Sequence, residues 1–190
     1  INYGAPNPIH ALGRAIGALA SWPPPTDPAL SLTVARWGEG TSVNAIPAEA
    51  WAELDFRSES IAHLDVGEER LRAVLDRSVA EENASVTDQD GRLRVDVTVV
   101  GRRPAGVTAL DSPLVEAALA ATRVSGVEPK VTASSTDANL PMSLGIPAIT
   151  LGAGGSAGAV HTTDEWYHNG NGSIGIQRAL HTVLLVSGLD

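Results

Sequence analysis

The chain contains 190 residues and no cysteine, and its formal net charge is -9. An apolar content of 43% can build a buried core, so the composition predicts a globular protein. The acidic balance argues against a nucleic-acid partner, the absence of cysteine excludes disulfides and thiolate metal sites, and no apolar run reaches the roughly 20 residues that cross a bilayer.

The first half of the chain predicts a helix, two strands, a second helix and a third strand. These elements lie at about residues 7–19, 32–34, 50–57, 68–82 and 93–99. Asn7 and Pro8 are typical of a helix start, and the apolar residues after them recur every three or four positions. The strands are predicted from apolar residues at every second position.

Alternation is clearest in the second of these strands. It puts Ala52, Leu54 and Phe56 on one face. The opposite face carries Trp51, Glu53, Asp55 and Arg57. Because only one face is apolar, we expect both helices to pack on the same side of an antiparallel sheet. Residues 1–105 are therefore predicted to form a two-layer α+β domain of ferredoxin-like topology.

The second half predicts a different arrangement. Ser112 and Pro113 begin a helix, a short strand surrounds Val131, and a turn or helix follows near residues 137–144. An apolar strand at 148–151 and a last helix at about 173–186 complete the order. Helices and strands alternate as in α/β proteins, but two or three strands cannot make a full sheet. Residues 106–190 are predicted to be an incomplete α/β segment.

His161 is the candidate metal ligand. Neutral imidazole is the commonest protein ligand for zinc, and His161 lies in a polar segment beyond an apolar strand. The alternative interpretation is a hydrogen-bonded loop residue. The glycines at 152, 154 and 155, just before it, would let the backbone approach a ligand closely or would simply form turns.

A resemblance to a known family joins these segments. The segments 44–47, 52–57, 135–138, 145–147 and 161–165 resemble, in this order, the dizinc metallopeptidases of the carboxypeptidase, aminoacylase and desuccinylase type, which include glutamate carboxypeptidase. The resemblance implies that residues 1–105 are a lid that forms a homodimer and that residues 106–190 return to the catalytic domain. It also implies a parent enzyme that uses two zinc ions to cleave an amide bond in a small peptide or N-acyl amino acid.

The resemblance also assigns roles to single residues. Asn44, Arg57 and Gly154 would contact substrate, and His161 would be the last metal ligand. An Arg fork suits a carboxylate, and an Asn can donate to a developing oxyanion. The alternatives are a cross-strand salt bridge from Arg57 to Glu53 or Asp55 and a turn-forming side chain for Asn44.

Asp137 and Glu165 are expected to support the site without binding the metal. Asp137 would orient a neighbouring group or cap the following helix, and capping is the preferred interpretation. Glu165 would brace the loop of His161 or act in catalysis. The sequence supplies no catalytic residue of its own.

The other zinc ligands and the catalytic base of the family have no counterpart in this sequence. Each zinc ion needs about four donors, so we expect this chain alone to retain no zinc and to show no measurable hydrolysis. Because it begins at Ile1, we expect further residues upstream. A cytoplasmic location is expected. The alternatives are a non-catalytic dimerisation module and a small-molecule regulatory domain, which would leave residues 161–165 unexplained.

Overall fold

The structure is a computed structural model that describes residues 4–87 and 91–189. The chain divides into two compact units, one that ends at Arg102 and one that begins at Arg103. The first unit combines helices with a two-stranded antiparallel sheet, which confirms the α+β fold class predicted for it. In the part of the chain that the structure describes, no helix is long and apolar enough to cross a membrane.

The first unit has the order helix, strand, strand, helix. Its elements are α1 (Pro8–Ala20), β1 (Leu30–Gly38), β2 (Trp51–Ser58) and α2 (Ile61–Ala84). The predicted N-cap of α1 is confirmed, because the Asn7 side chain accepts a hydrogen bond from the Ile9 N–H at 2.9 Å. Helix α2 begins before the predicted residue 68, since Ser60 caps it by accepting from the His63 N–H at 3.3 Å.

Strands β1 and β2 form an antiparallel pair in which Leu30 lies opposite Ser58 and Gly38 opposite Trp51. A bulge interrupts the register between Val34 and Arg36. The predicted alternation in β2 is confirmed, since its apolar face is half-buried and its other face is exposed. The sheet therefore has one apolar face that other elements must shield from water.

Helices α1 and α2 cover that face. The buried core contains Ala15 and Leu19 from α1 and Leu71 and Val74 from α2. Side chains of the sheet that pack against it are Leu32, Leu54 and Phe56. Two layers result, with both helices on one side of the sheet as predicted. The opposite side of the sheet is exposed.

A buried carboxylate joins the two helices. Glu82 of α2 is only 3% exposed, and it accepts a hydrogen bond from the Asn7 N–H at 2.8 Å. Its other oxygen pairs with Arg14 of α1, and the Nδ1 of His10 lies 3.7 Å away. Burial alone would raise the pKa of Glu82, but the Asn7 N–H and the Arg14 charge outweigh it and hold this pKa below its usual value.

The strand predicted at 93–99 is wrong. Leu93, Val95 and Val97 are half-buried in alternation, yet no strand is assigned between 91 and 102. The Asn83 side chain accepts from the Leu93 N–H at 2.8 Å and donates to its carbonyl at 3.0 Å. One side-chain amide thus takes the hydrogen bonds that a neighbouring strand would have made.

Over its described residues, 103–189, the second unit contains three helices and a small hairpin. Its elements are α3 (Pro113–Val124), α4 (Asn139–Ser143), β3 (Ser156–Gly158), β4 (Trp166–His168) and α5 (Gly172–Val186). The predicted cap of α3 is confirmed, because Ser112 Oγ accepts from the Val115 N–H at 3.3 Å. Helices α3 and α5 pack against each other.

The strands predicted near 131 and at 148–151 are also wrong, since neither segment forms a strand in the described residues. The Thr108 hydroxyl donates to the Ala148 carbonyl at 2.6 Å, and the Ala148 N–H donates to Thr108 Oγ1 at 3.0 Å. The Thr108 hydroxyl thus makes the two hydrogen bonds that a neighbouring strand would have made with Ala148. The hairpin of β3 and β4 was not predicted from the sequence.

Replacing Glu82 with glutamine removes the charge that faces Arg14 but keeps an acceptor for the Asn7 N–H. We expect Glu82→Gln to lower the free energy of unfolding by about 2 kcal/mol, the usual contribution of a hydrogen bond to a charged group. Urea unfolding measures this. The matched control is Glu81→Gln, whose side chain is 54% exposed and should change stability by less than about 0.5 kcal/mol. Equal effects of the two variants would contradict the buried role of Glu82.

The stabilisation by Glu82 should depend on pH. Its pKa in the folded protein lies below the usual value of 4.5, so the folded state releases this proton more readily than the unfolded state. The contribution is therefore complete above pH 4.5 and disappears as the pH falls through the folded pKa. We expect the difference in Tm between the wild type and Glu82→Gln to shrink from neutral pH to about pH 3. A difference that stays constant over this range would refute the assignment.

Candidate functional site

The predicted metal ligand lies in the loop of a hairpin in the second unit. Strands β3 and β4 pair antiparallel, with Ser156 opposite His168 and Gly158 opposite Trp166. The segment 159–165 connects them and carries His161. Every residue of this loop is exposed. The hairpin therefore presents the loop to solvent in this unit.

Thr162 organises the loop through four hydrogen bonds. Its N–H and its hydroxyl both donate to the Ala159 carbonyl, at 3.1 and 2.7 Å. Its hydroxyl accepts from the Asp164 N–H at 3.2 Å, and its carbonyl accepts from the Glu165 N–H at 3.3 Å. The loop is thus closed by its own polar groups. Thr162 was not among the predicted residues, although Thr hydroxyls are known to bond the backbone two residues on in such turns.

The backbone of His161 is fixed by a hydrogen bond to Glu165. Its N–H donates to Glu165 Oε2 at 3.3 Å, and its φ of 65° lies in the left-handed region. Neither ring nitrogen has a hydrogen-bond partner within residues 4–87 and 91–189, and the hydrogen bond that His161 makes goes through its backbone N–H. The alternative interpretation, a hydrogen-bonded loop residue, agrees with this contact. An exposed imidazole with free nitrogens fits a single zinc ligand.

A complete zinc site does not form from the described residues. Over 4–87 and 91–189, no group of three or more His, Asp or Glu side chains is arranged to hold a metal ion. A zinc ion needs about four donors, of which His161 can supply one. The described residues therefore do not fit a zinc site on their own.

Asp137 forms an ion pair and does not cap α4. The Arg103 guanidinium lies 3.4 Å from Asp137 Oδ1 and also donates to Ser135 Oγ at 3.2 Å. The N-cap of α4 is Ala138, which has no side-chain cap, so the preferred interpretation of Asp137 as a helix cap is wrong. Thr136 makes the local turn instead, because its Oγ1 accepts from the Ala138 N–H at 3.3 Å.

Gly154 permits a close approach between its own loop and the first turn of α5. Its φ is 83°, and a Cβ at this position would lie 2.7 Å from the Asn171 carbonyl oxygen and 3.0 Å from the Gly175 nitrogen. Its own carbonyl accepts from the Tyr167 hydroxyl at 3.2 Å. This packing requires glycine whether or not a ligand binds here.

Asn44 and Arg57 lie in the first unit, on different segments. Asn44 is exposed in the loop between β1 and β2, where its side chain accepts from the Ser42 hydroxyl. Arg57 lies on the exposed face of β2, and its Nε donates to Asp55 Oδ2 at 2.5 Å. The alternative of a salt bridge to Asp55 is thus observed, but the bridge is not cross-strand as predicted, because Asp55 lies two residues before Arg57 on the same strand. Both side chains remain open to solvent.

Among the predicted residues, a hydrogen bond joins only His161 and Glu165 within the described part of the chain. Asp137 pairs with Arg103, which the sequence analysis did not select. The signal for Arg103 was weak, since it lies more than 30 positions from its partners along the chain. The hairpin itself was signalled by Gly154 and Gly155 followed by the aromatic pair Trp166 and Tyr167.

One comparison with known proteins identifies a related domain. Residues 3–83 match the family model described as a peptidase dimerisation domain, that of the M20 peptidases. The match covers most of the first unit and supports a relationship to the M20 peptidase family. No curated protein matches the chain.

Replacing Gly154 with alanine tests its packing against α5. Both the left-handed backbone and the contact with the Asn171 carbonyl oppose a Cβ, so we expect Gly154→Ala to cost more than about 2 kcal/mol of unfolding free energy. The control is Gly126→Ala, where φ is 76° but no atom lies within 4 Å of the new Cβ. This control should cost about 1 kcal/mol. Thermal or urea unfolding measures both, and equal costs would show that the close approach is absent.

Proposed function

We propose that this chain is the dimerisation domain and C-terminal catalytic segment of a zinc-dependent M20-type peptidase or amidohydrolase. Its substrate would be a small peptide or an N-acyl amino acid cleaved at an amide bond. The observation that carries the proposal is the match of residues 3–83 to the peptidase dimerisation domain, on a unit that folds as two helices over an antiparallel hairpin.

The surface of the first unit supports self-association. Both strands of the two-stranded sheet have one edge without a neighbouring strand among the described residues, and open edges are surfaces on which chains pair. Trp37 on β1 is 59% exposed, and Trp is enriched among residues that dominate binding energy at interfaces. A homodimer would cover part of this surface.

The charges on the exposed face of the sheet are already paired. Arg36 contacts Glu53 across the strands at 3.1 Å and lies 5.4 Å from the Trp51 ring centre. Arg57 contacts Asp55. A substrate carboxylate that binds Arg57 would replace an exposed acid, an exchange that costs little because exposed ion pairs contribute less than about 1 kcal/mol. Asn44 would donate to a polar group of the same substrate.

His161 is the residue through which the second unit would take part. Zinc supplies a Lewis acid to hydrolases of this kind, and the free imidazole of His161 offers it one donor. The remaining donors and the catalytic base would come from residues outside the described part of this chain. Gly154 and Asp137 would shape the neighbouring surface.

Sedimentation equilibrium tests the homodimer. We expect the mass to rise from monomer to dimer with concentration, and Trp37→Lys to weaken the association at least about 10-fold by placing a charge at the sheet. The matched control is Ile176→Lys, an exposed apolar residue of α5 in the second unit, which should leave the dimer unchanged.

A monomer at every concentration would refute the proposed dimerisation. So would an association that Ile176→Lys removes and Trp37→Lys does not. A non-catalytic dimerisation module predicts the same dimer, so sedimentation tests the dimer and does not distinguish the module from the hydrolase.

A further inference from the structure

The segment that joins β4 to α5 contains two Asn-Gly pairs in succession, Asn169 with Gly170 and Asn171 with Gly172. Both asparagines are exposed. In such a pair the backbone nitrogen of the glycine can attack the side-chain amide of the asparagine, because the glycine has no side chain that hinders the approach. The two pairs differ in their contacts, so the structure indicates which asparagine reacts.

The second pair is fixed by the start of α5. Asn171 is the N-cap of this helix, with φ of -127° and ψ of 27°. The Gly172 N–H, which would attack the Asn171 side chain, donates to the Asn169 carbonyl at 3.4 Å. Ring closure through this nitrogen would break that bond and displace the first residue of the helix. The second pair is therefore protected.

The first pair combines a free nucleophile with a neighbouring base. The Gly170 N–H donates no hydrogen bond to the described part of the chain. The His168 ring lies against Gly170, since a Cβ added to this glycine would be 2.6 Å from His168 Cε1 and 3.0 Å from its Nδ1. Within residues 4–87 and 91–189 this ring has no hydrogen-bond partner. The imidazole is thus available to accept the proton that the Gly170 nitrogen must lose.

The Tyr167 hydroxyl supplies the third group. It lies 3.4 Å from Asn169 Oδ1 and 3.2 Å from the Gly154 carbonyl oxygen, so two acceptors share its one proton. When a nitrogen adds to the side-chain amide carbon of Asn169, negative charge develops on Oδ1. The hydroxyl can then turn its proton toward this oxygen and stabilise the charge. Nucleophile, base and donor thus surround one amide group.

We propose that Asn169 is a site of intramolecular deamidation, with His168 as the general base and Tyr167 as the donor to the developing oxyanion. The Gly170 nitrogen forms a bond to Asn169 Cγ and gives its proton to the imidazole. The imidazole returns this proton to the side-chain nitrogen, which leaves as ammonia, and a cyclic imide remains. Water then opens the imide at either of its carbonyls and gives aspartate or isoaspartate at position 169. The inference goes beyond the proposed function and does not depend on it.

The first test compares the two pairs in the full chain at neutral pH. Mass spectrometry of its peptides detects deamidation by the gain in mass when an amide becomes an acid, and fragmentation locates it. We expect Asn169 to react at least about 10-fold faster than Asn171 in the folded protein. In guanidinium chloride, where the loop is unfolded, the two should react at similar rates. Folded rates that are equal, or higher at Asn171, would overturn the proposal.

Two variants test the named groups. His168→Ala should slow the reaction of Asn169 about 10-fold, and added imidazole should accelerate this variant more than the wild type because it replaces the missing base. Tyr167→Phe keeps the ring and should slow the reaction about 5-fold. The control is His10→Ala, which removes an exposed histidine of the first unit and should match the wild type.

Circular dichroism verifies that each variant is folded. A wild-type rate in folded His168→Ala would show that the imidazole is not the base, and a wild-type rate in folded Tyr167→Phe would show that the hydroxyl is not the donor. Either result contradicts the proposed mechanism. If a variant does not fold, the comparison of Asn169 with Asn171 in the wild type still decides whether this site exists.

Discussion

The first unit depends on covering one face of a two-stranded sheet. An isolated hairpin is at best marginally stable in water, and β1 and β2 have no third strand among the described residues. Helices α1 and α2 supply the missing apolar contacts through a small core that includes Leu19 and Val74. The buried carboxylate of Glu82 pairs with the exposed Arg14 and so joins α1 to α2, and both helices cover the sheet together. Because only one face is covered, the other stays available for binding.

The second unit also has extended apolar segments that lack neighbouring strands in the described chain, although its helices α3 and α5 pack together. Thr108 satisfies the backbone at Ala148, much as Asn83 satisfies Leu93 in the first unit. The backbone at Ala148 thus exchanges its hydrogen bonds with a side chain and not with a neighbouring strand.

Local signals in the sequence predicted much of the fold. Asn7 with Pro8, and Ser112 with Pro113, marked two helix starts because capping depends on the nearest few residues. Alternation predicted the two faces of β2 because it, too, depends only on residues that are close together in the sequence. The segments at 93–99 and 148–151 show equally apolar patterns, but a strand also needs a partner along its edge, and no pattern within the segment reports one.

The sequence indicated which residues belong to the candidate site but not which contacts they make. His161 and Glu165 were selected together, but their contact through the main chain depends on the left-handed turn that Thr162 closes. Asp137 pairs with Arg103, which is remote in sequence, so its local environment wrongly suggested a helix cap.

Gly67 has an evolutionary consequence. It lies within the long helix α2, where glycine is unfavourable, and a Cβ there would come within 2.8 Å of the Phe56 ring and 3.2 Å of Leu30. The helix approaches the sheet this closely only because the side chain is missing. A homologue that carries alanine at position 67 must therefore compensate with a smaller residue at position 56 or a helix displaced outward. The residues at positions 67 and 56 should therefore covary among homologues. The pair found in each homologue would indicate how close its helix lies to its sheet.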